Sequence, residues 1–525
     1  MINLLEKIKD YKWLHSWRPY FVIFALGFLL YGQTLFFDYS YFDDNELIIN
    51  KIEILKDIKN IPLIFSTDAF LSSNKFYYRP ILNLSFMFDT QFSGGLAFFY
   101  HLSNILLHIL AVMLIFCFFQ KIKYSKTTSF FLSLIFLVHP VLTQAVAWLP
   151  GRNDSLVAIF ALLTFISFLK FLENPKFKRY LAYLLFFFVS LLTKETAVFL
   201  PILIIFYFLF IDSGKLLKSD KYLLALGSMA VAFVWFIIRR LVLGGEPINY
   251  VGAVIGIVNN TSAILISFGK VLLPFNLSVI PTLADSTTFF GVISLIIILA
   301  AIFTSKQKRN NRIIFGIFWF SFFLLPSFIP FNNLPYFLEH RLYLSLVGFL
   351  IVIAETDYFK NLDFSHRKTK VIGASLIFIL MLITVFHSSI FSDRLNFWQG
   401  AVKSSPHSPL AQKNLGAMYY LEGKSDLALP YYQNALALNA GEPMVHNNIG
   451  LIYFEKGDYS RAEAEFIQEL NNYPNYDKAL INLGNVYVKQ KKYKEAAYLF
   501  ESALRSSPYS FEAYQNLLNI QNRLK

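Results

Sequence analysis

Two adjacent carboxylates, Asp43 and Asp44, follow the first strongly apolar stretch of the chain, within the sequence FDDNELIIN (42–50). A carboxylate at a membrane surface is a candidate general base, because it can take a proton from an attacking hydroxyl group. An alternative is that both are solvated loop residues that cap a short helix. The pair therefore predicts either acid–base chemistry at a membrane face or the start of a helix.

Three cations lie near predicted span ends on the same membrane face, namely Arg152, Lys194 and Arg341. A fixed cation could offset the charge that develops on a departing phosphate, because the surroundings of a lipid solvate such charge poorly. In the alternative interpretation, Lys194 and Glu195 form a local ion pair in a turn. Arg152 and Asp154 would likewise be loop residues, with Asp154 helping to cap the next helix.

Further polar residues lie in apolar surroundings on that face, where ionisable groups usually face a cavity or one another. The candidates for lining a cavity are Arg79, His101, Asn104, His108, His139, Asp154, Glu195 and Glu339. Of these, His101, Asn104 and His108 are spaced to share one helix face. Alternatively, the two histidines are buried, hydrogen-bonded packing residues. No histidine cluster has metal-ligand spacing, and the single cysteine, Cys117, lies in an apolar run, so no metal site is predicted.

The composition places most of the chain in a membrane. It has 525 residues, of which 56% are hydrophobic and only 15% are charged. Lys and Arg exceed Asp and Glu by 33 to 21 in residues 1–392, but only by 14 to 13 in residues 393–525. Basic residues in short loops between spans are typical of cytoplasmic loops, which argues against a nucleic-acid partner.

Apolar runs predict about eleven spans in an all-α, polytopic helix bundle over residues 1–392. The runs cover residues 17–37, 97–119, 129–149, 154–172, 178–193, 196–211, 222–238, 287–304, 313–330, 342–357 and 371–390. With the Lys/Arg clusters on the cytoplasmic side, the amino terminus is cytoplasmic, and the first loop (about 38–96) and everything after the last span are extracytoplasmic. The apolar segment 264–280 does not fit this count and is interpreted as a re-entrant or interfacial segment broken at Pro274.

Residues 393–525 form a predicted extracytoplasmic repeat domain. The triplets at 414–416, 448–450 and 482–484 recur at a spacing of 34 residues, which is the tetratricopeptide period. The units cover about 409–442, 443–476 and 477–510, followed by a capping helix. Small residues let the two helices of each unit approach closely and are structural, namely Gly416, Ala428, Gly450, Ala462, Gly484 and Ala496. Such a solenoid predicts a concave surface for an exported polypeptide or a partner subunit, or else a structural or dimerisation module.

Taken in order, seven stretches and the repeats make the chain resemble the transmembrane and tetratricopeptide repeat (TMTC) family, which is related to protein O-mannosyltransferases of the glycosyltransferase C superfamily. They are FDDNELIIN (42–50), YYRPI (77–81), FYHLSNILLH (99–108), HPVLTQAVAWLPGRNDSL (139–156), LLTKET (191–196), LLPFNLS (272–278), EHRLYLSLVGF (339–349) and the repeats that follow DRLNFW (393–398).

The resemblance implies an inverting transferase that moves a hexose, typically mannose, from a polyprenyl phosphate to Ser or Thr hydroxyls of an exported protein. Asp43 would be the base, and Asp44 would orient the acceptor or the base. The GRND and EHR stretches, with Arg152, His340 and Arg341, would meet the donor phosphate, as would Lys194. The two aspartates could serve a mechanism with or without a divalent metal ion.

Two other functions stay open at this point. One is a non-enzymatic membrane scaffold whose repeats recruit exported proteins, and the other is a lipid-linked-sugar transferase that acts on a glycan. The short loops, the heavy use of Phe, Ile, Lys and Asn, and the single cysteine suit a bacterial inner membrane.

Overall fold

The computed structural model describes residues 12–71, 77–212, 217–244, 250–328 and 337–524. Within these ranges the regular secondary structure is helical, with no strand. The chain divides into two compact units, Met1–Phe397 and Trp398–Lys525. The predicted boundary at residues 392/393 lies close to this division and stays a prediction.

The first unit contains nineteen α-helices over the described residues, joined by short 3-10 turns. Up to residue 212 they are α1 (Arg18–Tyr31), α2 (Asp44–Leu47), α3 (Ile52–Lys56), α4 (Ile61–Ser66), α5 (Pro80–Ser93), α6 (Ala97–Lys121), α7 (Lys126–Val138), α8 (Thr143–Ala147), α9 (Arg152–Glu173), α10 (Phe177–Thr193) and α11 (Leu200–Phe210). They continue with α12 (Lys218–Leu243), α13 (Tyr250–Asn259), α14 (Thr261–Leu272), α15 (Phe289–Thr304), α16 (Asn310–Leu324), α17 (Tyr343–Ala354), α18 (Asp357–Lys360) and α19 (Arg367–Ser388).

Six helical segments of the described chain are long and apolar enough to cross a membrane. They are Arg18–Phe36, Ala97–Lys121, Leu149–Glu173, Lys218–Leu243, Asn310–Phe328 and Arg367–Phe391. A seventh is possible if Lys126–Val138 and Pro140–Ala147, which meet at a 54° bend, count as one broken span. The eleven predicted runs each overlap a helix, but the count of eleven stays a prediction.

The segment 264–280, which did not fit the span count, begins inside α14, and this helix ends at Leu272. Pro274 follows in a non-helical stretch that reaches residue 288. Because α14 has only 12 residues, it is too short for an ordinary span. The structure therefore has a short helix and a break at the expected place.

The predicted first loop (about 38–96) is helical and packed where the structure describes it. Helices α2 to α5 fold over a small apolar core that includes Ile48, Leu55 and Phe86, with Tyr100 of α6 and Leu156 of α9. Burying these side chains offsets the entropy cost of ordering the loop. We call residues 38–93 of this loop, as far as they are described, the helical platform.

The second unit begins within α20 (Arg394–Ser404) and consists of antiparallel helix pairs. These are α21 (Pro409–Leu421), α22 (Ser425–Leu438), α23 (Val445–Glu455), α24 (Tyr459–Asn472), α25 (Asp477–Lys489) and α26 (Tyr493–Ser506), followed by α27 (Phe511–Leu524). A Cβ atom on Gly484 would lie 2.5 Å from Cε1 of Phe500, and Gly450 faces Phe466 in the same way. Close helix approach thus explains the glycine in each unit.

Candidate active site

Asp44 holds the turn that opens the helical platform. Its Oδ1 accepts hydrogen bonds from the Ser40 hydroxyl (2.8 Å) and the Phe42 amide (3.0 Å). Its Oδ2 accepts one from the Ser40 amide (2.6 Å). The side chain is buried, so the structure gives Asp44 a positioning task and does not present it to an acceptor.

Asp43 has the opposite environment. It lies at the N-cap position of α2, but its side chain makes no capping hydrogen bond there, and none of the hydrogen bonds among the described residues involves its carboxylate. The side chain is half-buried. Burial raises the pKa of Asp43 to about 7, Asp44 adds to the rise, and the positive charges of Arg79 and Arg341 limit it. A carboxylate with this pKa is poised to accept a proton near neutral pH.

Two cations of the site are held by carboxylates from other segments. Arg79 donates from Nη2 to Oε1 of Glu195 (2.5 Å) and from Nε to Oε2 (3.2 Å). Lys194 donates from Nζ to Oδ1 of Asp154 (2.7 Å). The alternative of a local Lys194–Glu195 pair is therefore wrong, because each residue pairs across the fold. All four side chains lie in one interacting cluster beside Asp43.

The 3-10 turn Glu339–Leu342 adds His340 and Arg341 to this cluster. The half-buried Arg341 donates from Nη1 to the Ser327 carbonyl (2.8 Å). His340 is buried, and its Nδ1 lies 3.1 Å from Oε1 of Gln144. Burial, together with the charges of Lys194, Arg341 and Arg79, holds the pKa of His340 well below its usual value, so the ring is neutral. A neutral ring cannot pair ionically with a phosphate.

Aromatic rings connect three distant parts of the sequence beside Asp43. The rings of Phe42 and Trp148 stack with centroids 5.4 Å apart, and the Trp148 and His340 rings are also 5.4 Å apart. The platform, the corner between α8 and α9, and the Glu339–Leu342 turn thus share one aromatic row.

Arg152 does not face the site, contrary to the expectation that it meets a phosphate. Its side chain is fully buried, and Nη1 donates to Oδ2 of Asp89 (2.5 Å). Nε donates to Oδ1 of Asn104 (2.7 Å), and Nη2 donates to the Tyr100 carbonyl (2.7 Å). The guanidinium also lies 4.5 Å over the ring of Phe86. These contacts tie α9 to the platform and leave no open face for a ligand.

Asn104 and Gly151 shape the corner at which α9 begins with Arg152. Asn104 Nδ2 donates to the carbonyls of Val146 (3.0 Å) and Trp148 (3.2 Å), which the bend frees from helical hydrogen bonds. A Cβ atom on Gly151 would clash with the Gln144 carbonyl and lie 2.9 Å from Cα of Ala145. The backbone passes itself so closely here that only glycine fits.

Glu339 is fully buried and belongs to a separate cluster. It accepts hydrogen bonds from Lys270 Nζ (2.7 Å) and the Ser278 amide (2.6 Å), and Nε2 of His387 lies 3.1 Å from its other oxygen. The side chain therefore anchors the turn that presents His340 and Arg341, and it does not line an open cavity.

The three histidines that were predicted to line a cavity are buried packing residues. Nδ1 of His108 lies 2.7 Å from the Tyr343 hydroxyl and Nε2 lies 3.1 Å from the Leu137 carbonyl. Nε2 of His139 lies 2.9 Å from the Val271 carbonyl, and the His101 ring packs against Phe37. Among the described residues, no group of three or more His, Cys, Asp or Glu side chains is arranged to hold a metal ion.

Sequence reasoning missed several partners of these residues: Asp89, Gln144, Trp148, Lys270 and His387. Asp89 and Lys270 each stand alone in an apolar stretch, and a lone ionisable residue there requires a partner. That rule could have identified both of them.

Comparisons with known proteins match two parts of this chain to protein families. The dolichyl-phosphate-mannose-protein mannosyltransferase family matches residues 87–238, and a tetratricopeptide repeat family matches residues 447–511. A protein O-mannosyl-transferase of Caenorhabditis elegans is 26% identical over 422 residues, covering 76% of this chain and 59% of that protein. The resemblance to the TMTC family is confirmed.

Two further relatives match shorter stretches. The Drosophila melanogaster protein O-mannosyl-transferase Tmtc1 is 29% identical over 33% of this chain and 21% of its own length. The Homo sapiens protein O-mannosyl-transferase TMTC2 is 34% identical over 27% of this chain and 17% of its own. This chain thus spans under two thirds of the TMTC relatives that it matches.

Proposed function

We propose that this protein is a membrane glycosyltransferase that moves a hexose, in the first instance mannose, from a polyprenyl-phosphate sugar to Ser or Thr hydroxyls of exported polypeptides. In the proposed step, the hydroxyl oxygen forms a bond to the anomeric carbon, and the bond from that carbon to the phosphate oxygen breaks. The hydroxyl proton goes to Asp43, and the polyprenyl phosphate leaves with the bonding electron pair. One displacement inverts the anomeric carbon.

The observation that carries this proposal is the contrast between the two aspartates. The Asp44 carboxylate is saturated by Ser40 and Phe42 and is buried. Asp43 is half-exposed among cations and accepts no hydrogen bond from the residues that the structure describes. A base has to reach the acceptor hydroxyl directly or through one water molecule, and only Asp43 has that access.

We assign the donor phosphate to three partly exposed cations, Arg79, Lys194 and Arg341. Arg79 and Lys194 are already held by Glu195 and Asp154, so little reorganisation is needed when charge develops on the phosphate. The neutral His340 ring lies against Gln144 and does not contact the phosphate as a cation.

The setting of the reaction is part of the proposal. We propose eleven spans, a bacterial inner membrane, a cytoplasmic amino terminus, and a site and repeats on the extracytoplasmic face. The repeats at 409–442, 443–476 and 477–510 would bind the acceptor or a partner protein, in keeping with the protein-binding use of such solenoids.

The test is transfer of radiolabelled hexose from polyprenyl-phosphate hexose to a Ser/Thr-rich exported protein, with full-length protein in membranes. Asp43→Asn should lower transfer by about 10²- to 10⁴-fold, since it removes a general base. The control is Glu53→Gln in the same platform, because the Glu53 side chain is 86% exposed. Equal transfer by wild type and Asp43→Asn would overturn the assignment of Asp43 as the base. Transfer to glycans but not to protein would show that the acceptor is a glycan and not a polypeptide.

A further inference from the structure

A second charged cluster surrounds the buried carboxylate of Glu355. Arg309 donates to it through Nη2 (2.5 Å) and Nε (2.9 Å). The Tyr124 hydroxyl donates to Oε1 (2.8 Å), and Nζ of Lys360 lies 2.7 Å from Oε2. The four contacts leave Glu355 saturated, and none of them belongs to the site around Asp43.

Arg312 is the excess cation of this cluster. Its Nη1 lies 3.9 Å from Oε1 of Glu355, beyond hydrogen-bonding distance, and this buried atom has no hydrogen-bond partner among the described residues. The Arg312 residue is only 9% exposed. Its guanidinium lies 5.3 Å over the ring of Tyr124, beside that of Arg309 at 5.6 Å. A buried guanidinium normally has its donors satisfied, so an acceptor with negative charge would complete the arrangement.

The cluster and the Asp43 site lie at opposite ends of one span. Arg312 is in the first turn of α16, and the span Asn310–Phe328 that begins there has 19 residues. At about 1.5 Å per residue it is about 28 Å long. Near its other end lies Ser327, whose carbonyl accepts the hydrogen bond from Arg341. The cluster is therefore at the depth of lipid headgroups on the face opposite the proposed active site.

The charges favour an anionic lipid over a neutral one. Three cations, Arg309, Arg312 and Lys360, face the single carboxylate of Glu355. The Arg309 side chain is 45% exposed, which opens one side of the cluster to the membrane interface. Planar guanidinium groups bind phosphate oxygens in pairs, and basic pockets between spans are suited to lipid headgroups.

We propose that Arg309, Arg312 and Lys360 bind the headgroup phosphate of an anionic phospholipid, in a site separate from that of the sugar donor. The lipid joins α16 to α18 at the basic face through its phosphate oxygens. Its hydrocarbon chains lie along the span.

The test uses the full-length protein in nanodiscs of phosphatidylcholine with increasing phosphatidylglycerol, followed by native mass spectrometry. The wild type should retain phosphatidylglycerol preferentially, and Arg312→Gln should weaken retention by about tenfold or more, since it removes charged hydrogen bonds. Arg309→Gln, at a more exposed side chain, is the second variant in case Arg312→Gln does not fold. Lys121→Gln is the matched control, because Lys121 pairs with Glu173 outside the cluster.

Glu355→Gln supplies a readout that a purely structural cluster would not give, because removing the competing carboxylate should strengthen retention. Equal retention of phosphatidylcholine and phosphatidylglycerol would overturn the proposal. So would displacement of the lipid by millimolar inorganic phosphate, which would indicate a site for a free anion. Unchanged retention in both arginine variants would overturn it as well.

Discussion

Replacing Arg152 by glutamine should destabilise the fold, and any loss of sugar transfer should result from that destabilisation. The guanidinium is fully buried, pairs with Asp89, and donates to Asn104 and to the Tyr100 carbonyl. Glutamine cannot reach all of these partners. Without the guanidinium, the Asp89 carboxylate, which is 3% exposed, keeps the Ser103 hydroxyl (2.5 Å) as its remaining side-chain donor.

The expected cost is about 3–5 kcal/mol, which is the range for breaking a buried ion pair by removing one partner. Arg341→Gln, at a half-buried side chain with a hydrogen bond to the Ser327 carbonyl, should cost only about 0.5–1.5 kcal/mol while lowering transfer. Adding Asp89→Asn to Arg152→Gln should recover part of the loss, because the unpaired charge is removed, with a coupling of about 0.5–3 kcal/mol.

The measurement is the unfolding midpoint of detergent-solubilised protein by size-exclusion chromatography after heating, together with transfer activity of the fraction that stays folded. Arg152→Gln should lower the midpoint far more than Arg341→Gln does. If Arg152→Gln unfolds like the wild type yet loses transfer, Arg152 acts on the substrate and our assignment of a structural role is refuted.

Three further outcomes follow from the geometry. Because Asp43 accepts a proton only when ionised and its pKa is raised to about 7, kcat/KM should fall about tenfold per unit below pH 7 and level off above it, which a profile from pH 5.5 to 8.5 would check. Asp44→Asn should reduce both the folded yield and transfer. The substitution replaces one hydrogen-bond-accepting oxygen of the carboxylate by an amino group that can only donate. A normal yield with lost transfer would contradict this. Gly484→Ala should cost about 1–3 kcal/mol through the clash with Phe500, seen as faster limited proteolysis of residues 398–525 with the membrane unit unaffected.

Periodicity made the fold readable, because apolar runs and the 34-residue spacing report directly which faces are buried. The repeat helices and the helices under all eleven apolar runs were predictable on that basis. The packed platform was not, since its helices are short and its core is completed by Tyr100 and Leu156 from elsewhere in the chain.

Only part of the candidate site's membership was predictable from the sequence, and its ion pairing was not. The sequence predicted that Asp43, Lys194 and Arg341 lie on one membrane face, because each is a charged residue near the end of a predicted span. It could not tell that Lys194 pairs with Asp154, or that Arg152 faces inward to Asp89, because these partners lie 40 and 63 residues apart. Burial decides which cation is open to a ligand, and burial depends on the tertiary fold.

The aromatic row of Phe42, Trp148 and His340 sets the time at which the site can exist during synthesis. Phe42 and Trp148 emerge early, but His340 enters the membrane only after most spans have been made. At about 5–20 residues per second, roughly 15–60 s pass between the synthesis of Phe42 and that of His340. A nascent chain therefore carries Asp43, Arg79 and Lys194 before it has His340 and Arg341, and the site is complete only after residue 341 has been made.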